Sequence, residues 1–96
     1  FENIFSRQIK ANVTENDLFL AISTSGNSPN IYNAIKECNN LNINSALLTG
    51  PSGGTSKSIA DIVLNVPGSD AASIQERHIV VIHALCECIE SLVLNN

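Results

Sequence analysis

Apolar residues follow two rhythms along this chain. Phe1, Ile4, Phe5, Ile9 and Val13 recur at helical spacing, and residues 1–12 read as a helix with Glu2 early and Arg7 and Lys10 late. Thr14-Glu15-Asn16-Asp17 is a turn. Residues 18–23, beginning Leu18-Phe19-Leu20-Ala21-Ile22, show almost no polar alternation, which predicts a central strand covered on both faces. The helical period returns from Ser28 to about Asn40, with Ile31, Ala34, Ile35 and Cys38 on one stripe, and Asn39-Asn40-Leu41-Asn42 ends it. Ser45-Ala46-Leu47-Leu48-Thr49 predicts a second strand, stopped by Gly50-Pro51-Ser52-Gly53-Gly54, a long flexible turn. Ser56 to Ala60 predicts a short helix, and Ile62 to Val66 a third strand ended by Pro67-Gly68. A long helix then runs from about Asp70 to Leu94, and Asn95-Asn96 frays.

Strands and helices alternating at these lengths predict βαβ units, hence a parallel sheet with helices on both faces. Three buried strands make an incomplete sheet. The remaining strands are expected from further chain, a partner subunit, or both. The start at Phe1, without Met and inside a helical pattern, likewise predicts a fragment of something longer.

Ligands of open α/β sheets sit at the carboxyl ends of the strands. There the chain carries Ile22-Ser23-Thr24-Ser25-Gly26-Asn27-Ser28-Pro29, an apolar run turning into a polar loop and then a helix. Ser28 is the candidate N-cap, and Pro29 suits the first helical position because its missing N–H would be unpaired anyway. A helix start favours an anion, the hydroxyls of Ser23, Thr24, Ser25 and Ser28 add neutral donors, and Gly26 lets the backbone curl round a ligand. The physical reading is a phosphate cradle without a lysine. It is no nucleotide P-loop, since Gly-Lys-Ser/Thr and G-x-G-x-x-G are both absent. The plainer reading, an ordinary polar turn rich in capping residues, stands beside it.

The last helix sets Gln75, Glu76, His78, His83, Glu87 and Glu90 among apolar residues. Ile74, His78, Val81, Leu85, Cys88 and Leu92 form one stripe, and Ile79, Ile82 and Ile89 a second face. Such a helix is expected between layers or at a subunit interface. His83 and Glu87, at i and i+4, reach the same point as an ion pair or as metal ligands. Gln75 and His83 are eight residues apart, about 12 Å along an axis. Zinc ligands sit about 2 Å from the metal, so these two share an ion only by stretching or through a helix irregularity. Spacing alone does not make a metal site, and a lone histidine in such a helix is more often structural.

Composition narrows the classes. The 96 residues suit one small domain, and 44% hydrophobic with 15% charged residues is ordinary for a globular protein. A net charge of −4 with five Lys and Arg provides no basic patch for nucleic acid or acidic lipid. No apolar run approaches the roughly 20 residues of a membrane span, and no signal peptide is expected. Cys38, Cys86 and Cys88 are odd in number, and the last two point to different sides of a helix, a poor metal pair. Reduced thiols in a cytoplasm are expected.

Taken in order, Ile22-Ser23-Thr24-Ser25-Gly26-Asn27-Ser28, Leu47-Leu48-Thr49-Gly50 with Ser52-Gly53-Gly54, and Ile74-Gln75-Glu76-x-His78-x-x-x-x-His83 resemble the sugar isomerase (SIS) fold. More narrowly, they resemble the bacterial phosphoheptose isomerases, and Phe1 to Arg7 matches a Phe-Ser-Arg segment of that family. The three motifs together are specific; any one alone is weak. The resemblance spans essentially the whole chain, residues 1–96, as the C-terminal part of a single SIS domain.

It implies a Rossmann-like, flavodoxin-type αβα sandwich, assembled as a homotetramer with active sites between subunits. It implies that Ser23, Thr24, Ser25 and Ser28 bind a sugar phosphate, and that Gln75 and His83 help form a catalytic and zinc site, with His83 as acid/base. The family reaction interconverts sedoheptulose 7-phosphate and a manno-heptose 7-phosphate, toward heptose for lipopolysaccharide or surface glycans. A base moves a proton between C1 and C2 through an enediol while an acid or metal stabilises the oxygen charge.

Two departures stand out. The family's Asn-Gly-Gly-Ser loop and its further His and Glu lie upstream of Phe1, so these residues alone lack the carboxylate base. Ser73 stands where the family usually has arginine, which would weaken anion binding or leave a neighbouring acid unpaired. A different class is a non-catalytic relative that binds protein partners, like the replication-initiator-associating proteins of this fold. Those tend to lose the second histidine and alter the Ser-Thr-Ser loop, and both are intact here. The Gln75…His83 pairing argues against an arabinose 5-phosphate isomerase or a sugar-phosphate sensor.

Overall fold

The computed structural model describes residues 3–95; Phe1, Glu2 and Asn96, which the sequence reading includes, lie outside the described residues. The elements are α1 (Ile4–Asn12), β1 (Leu18–Ser23), α2 (Pro29–Asn40), β2 (Asn44–Thr49), a 3₁₀ turn (Thr55–Ser58), β3 (Ile62–Asn65) and α3 (Ala71–Leu94). The three strands form one parallel sheet in the order β1-β2-β3. Leu20 lies beside Ala46, and Leu48 lies beside both Ile22 and Leu64. Alternate residues of β2 serve two layers. Leu47 packs with Ala21 and Ile35 under α2, while Leu48 packs with Val66 and Ile74 of α3 on the other face. A further cluster, Ile9, Ala34, Cys38 and Ile43, ties α1 to α2. The small residues Ala34 and Cys38 let these helices approach closely.

Within the described sheet the doubly covered strand is β2, and β1, expected to be covered on both faces, is not so covered by these residues. Every residue of β2 after Asn44 is buried, whereas β1 is an edge of the described sheet with Leu18, Leu20 and Ile22 exposed. Ile62 and Leu64 of β3 are exposed too. The physical reason is the placement of α3, which packs on the sheet only through its first three turns, at Ile74, Val81 and Ile82. Beyond them an apolar groove of about 480 Å³ separates the helix from the strands, with Leu20, Ala46, Leu64 and Leu85 in its walls. The expected burial of α3 is correspondingly absent within this chain. Only Ile74 and His78 are buried, and Ile79, Val80, Ile89 and Leu92 are more than half exposed.

Ser73 has a definite role here. Asp70 caps α3, its carboxylate accepting from the Ser73 amide at 2.8 Å while the Asp70 amide donates to the Ser73 hydroxyl at 3.4 Å. This is a capping box closed by serine. The Ser73 amide and then its hydroxyl, with Arg77 adding a smaller effect, hold the Asp70 carboxyl below its ordinary range. Asp70, the acid nearest Ser73 along the chain, is therefore partnered.

Candidate sugar-phosphate site

Two loops meet at the carboxyl edge of the sheet, residues 23–28 after β1 and 50–56 after β2. The first is folded by its own hydroxyls. Ser23 Oγ accepts from the Gly26 amide at 3.0 Å, and Ser25 Oγ accepts from the Asn27 amide at 3.1 Å. Each hydroxyl spends a lone pair there and keeps its O–H to donate. Ser28 occupies the N-cap position with Pro29 at the first helical turn, but its side chain makes no capping bond. That departs from the usual use of a serine cap and leaves its hydroxyl uncommitted, as is that of Thr24 among the described residues. The sequence thus builds four neutral donors beside the start of α2, a combination suited to a phosphate group.

The second loop is clasped to the first rather than free. The Gly50 amide donates to the Thr24 carbonyl at 3.1 Å, and the Ser56 amide to the Gly26 carbonyl at 3.0 Å. The Thr55 amide donates to Asn27 Oδ1 at 2.9 Å, and Asn65 Nδ2 to the Gly50 carbonyl at 2.8 Å. These bonds tie both ends of the Gly50–Gly54 turn to its surroundings. They also reassign Gly26: at φ +72° its backbone turns against Gly53, whose carbonyl a Cβ would overlap. The close approach that demands glycine is therefore to the other loop. The Lys57 stem lies against Gly53, so a cation absent from the first loop stands on the 3₁₀ turn that follows the second.

Gln75 and His83 are both exposed on α3. Ile74 lies against Gly50, which brings the start of α3 to the loops. His83 is nine residues further on, about 13.5 Å along the axis, and makes no hydrogen bond or ion pair among the described residues, with Glu87 or otherwise. The structure therefore gathers Ser23, Thr24, Ser25 and Ser28, and does not bring His83 to them.

Among the described residues Gln75 and His83 do not by themselves complete a zinc site, and further ligands are expected from outside these 96 residues. The helix is α-helical throughout, without the irregularity that would draw Gln75 and His83 together. Among the described residues no group of three or more His, Cys, Asp or Glu is placed to hold a metal ion. An amide oxygen and one imidazole about 12 Å apart along a helix do not make a zinc centre. The cysteines contribute none either. Burial first, then Asp61 and Glu37, push the Cys38 thiol up, and Cys86 and Cys88 are free and exposed.

Two residues outside the expected set belong to the site's framework. Thr49 closes β2, and His78, 2% exposed, places Nε2 3.0 Å from its carbonyl oxygen. A histidine on an otherwise apolar stripe was the signal in the sequence. The Asn27–Thr55 and Asn65–Gly50 links had none, because each joins positions 15 or more residues apart.

Comparison with known proteins agrees with this fold. The SIS-domain family model matches residues 2–94. A phosphoheptose isomerase of Helicobacter pylori strain Shi470 is 43% identical over 90 residues, covering 94% of this chain and 47% of the relative. One of Campylobacter jejuni is 47% identical over 90 residues, with coverages of 94% and 48%. The structure of a phosphoheptose isomerase from Neisseria gonorrhoeae superposes with a TM-score of 0.89 at 41% identity, over 93% of this chain and 51% of that one. The chain spans about half the length of the curated relatives it matches.

Proposed function

The chain belongs to the SIS-domain family, and from that premise we propose that the protein carrying it is a phosphoheptose isomerase, interconverting sedoheptulose 7-phosphate and D-glycero-D-manno-heptose 7-phosphate. The observation that carries the reading is the clasped hydroxyl loop, four neutral donors at the start of α2, on a chain 43–47% identical to proteins of that name. Ser23, Thr24, Ser25 and Ser28 donate to the phosphate oxygens, and Ser23 also braces the turn through Gly26. The sugar's reacting end then lies away from the loop.

His83 exchanges the proton with the substrate. Both its ring nitrogens are uncommitted, which an acid/base group needs, and a base that relays a proton between C1 and C2 through an enediol requires no redox cofactor. Its distance from the phosphate loop along α3 supports a site shared between subunits, with His83 serving the loop of a neighbouring copy. The apolar residues left open on β1, β3 and α3 support a homo-oligomer, here a homotetramer, since exposed patches of this kind mark association surfaces. A carboxylate base is supplied from outside these 96 residues.

The three free cysteines support a reducing, cytoplasmic setting. No helix among the described residues is long and apolar enough to cross a membrane. The product enters heptose synthesis for surface glycans such as lipopolysaccharide.

The test is turnover of sedoheptulose 7-phosphate by the full-length protein and by its His83→Ala variant. The variant is expected to lose at least about a hundredfold in kcat, with little change in substrate affinity. Full activity in the variant would remove His83 from the mechanism.

A further inference from the structure

The peptide joining Thr49 to Gly50 is held from both sides. Its carbonyl oxygen accepts two hydrogen bonds, from the Val66 amide at 3.0 Å and from His78 Nε2 at 3.0 Å. Its N–H, on Gly50, donates to the Thr24 carbonyl inside the phosphate loop at 3.1 Å. A carbonyl only accepts, so Nε2 of His78 carries the proton. The peptide is planar, so fixing the direction of its C=O fixes the direction of its N–H. A donor on the oxygen also polarises the unit and strengthens the bond that the N–H makes.

His78 is an unusual choice if it only fills space. It is buried beside Ile74 on the apolar stripe, and its Nδ1 has no partner among the described residues. An unpartnered buried polar atom carries a desolvation cost that leucine or methionine would avoid. What the imidazole provides in return is one donor aimed at Thr49.

We propose that His78 is a positioning residue of the phosphate site, orienting the Thr49–Gly50 peptide so that its amide holds Thr24 and the loop hydroxyls in their binding arrangement. This rests on the phosphate-binding reading of the loop. It makes α3 the support of the cradle as well as the bearer of His83.

The test compares His78→Leu, which fills space without a donor, with His78→Gln, whose Nε2 amide reaches the same carbonyl. Both are made in the full-length protein. Dissociation constants for inorganic phosphate are measured by calorimetry, beside KM and kcat for sedoheptulose 7-phosphate. His78→Leu is expected to weaken phosphate binding and raise KM about fivefold to tenfold, the effect of one lost hydrogen bond, with kcat changed less than about twofold and His78→Gln restored to near wild type. Unchanged phosphate affinity in His78→Leu overturns the proposal. So does equal weakening in both variants, which would mark a purely structural histidine. Should His78→Leu fail to fold, His78→Asn takes its place, since its amide is one methylene short of Thr49. Weakening in Asn but not Gln supports the proposal, and equal behaviour overturns it. Phosphate affinity follows this pattern even in a protein that isomerises no heptose phosphate, and normal turnover with unaltered phosphate affinity in His78→Leu sinks this proposal alone.

Discussion

Replacing Gly26 by alanine strikes the contact that joins the two loops. At φ +72° an L residue is disfavoured by about 1–2 kcal/mol. The new Cβ would also overlap the Gly53 carbonyl, a backbone group that cannot swing aside as a side chain can. Relief requires the loops to part, which sacrifices the Ser56–Gly26 and Thr55–Asn27 bonds at about 0.5–1.5 kcal/mol each. Together these effects set an expected destabilisation of about 2–5 kcal/mol. The assay is urea unfolding of the full-length protein with and without inorganic phosphate. Gly26→Ala should lower the midpoint, and added phosphate should raise it much less than in wild type, because the cradle is misshapen. A variant within about 0.5 kcal/mol of wild type, stabilised equally by phosphate, would refute the clasp as the loop's organising contact.

Ser25→Ala combined with Ser28→Ala should weaken sugar-phosphate binding by about tenfold or more while leaving the unfolding midpoint nearly unchanged, because Ser28 makes no capping bond and Ser25 only one local one. Unchanged affinity by calorimetry would count against the hydroxyl cradle. Asp70 sets a pH dependence. Its folded-state pKa lies below the ordinary carboxyl value, so its stabilising effect is present above that ordinary value and is lost as pH falls through the folded one. The Tm difference between wild type and Asp70→Ala should therefore be full at pH 6 and shrink progressively as pH falls below about 4. A difference that stayed constant down to pH 2 would contradict the capping box.

Local chemistry explains what the sequence made legible. Helix α2 was readable from the Ile31, Ala34, Ile35 and Cys38 stripe, and β2 from an apolar run bounded by Gly50-Pro51. The loop hydroxyls were equally visible, although a serine beside a helix start more often caps it, and here Ser28 makes no capping bond. Position in the sheet was not. The apolar runs of β1 and β2 look alike, and only pairing order makes β2 central and leaves β1 at an edge. The two-faced pattern of α3 predicted burial that this chain does not itself provide, because the helix packs on the strands only through its first half. The clasp between loops was invisible for a related reason: Gly26 and Gly53 each have an ordinary turn explanation until they are seen in contact. Ser73 read as a loss in the sequence and proved to be half of a capping box with Asp70.

The proposed function assigns this chain the phosphate cradle and the acid/base histidine of an aldose–ketose isomerase. The most direct measurement follows sedoheptulose 7-phosphate by NMR in deuterated water with the full-length protein. An aldoheptose 7-phosphate carrying solvent deuterium at C2, formed by wild type and not by His83→Ala, is the predicted result. Binding of the sugar phosphate with no aldose formed would contradict it and leave a phosphosugar-binding relative of the same fold.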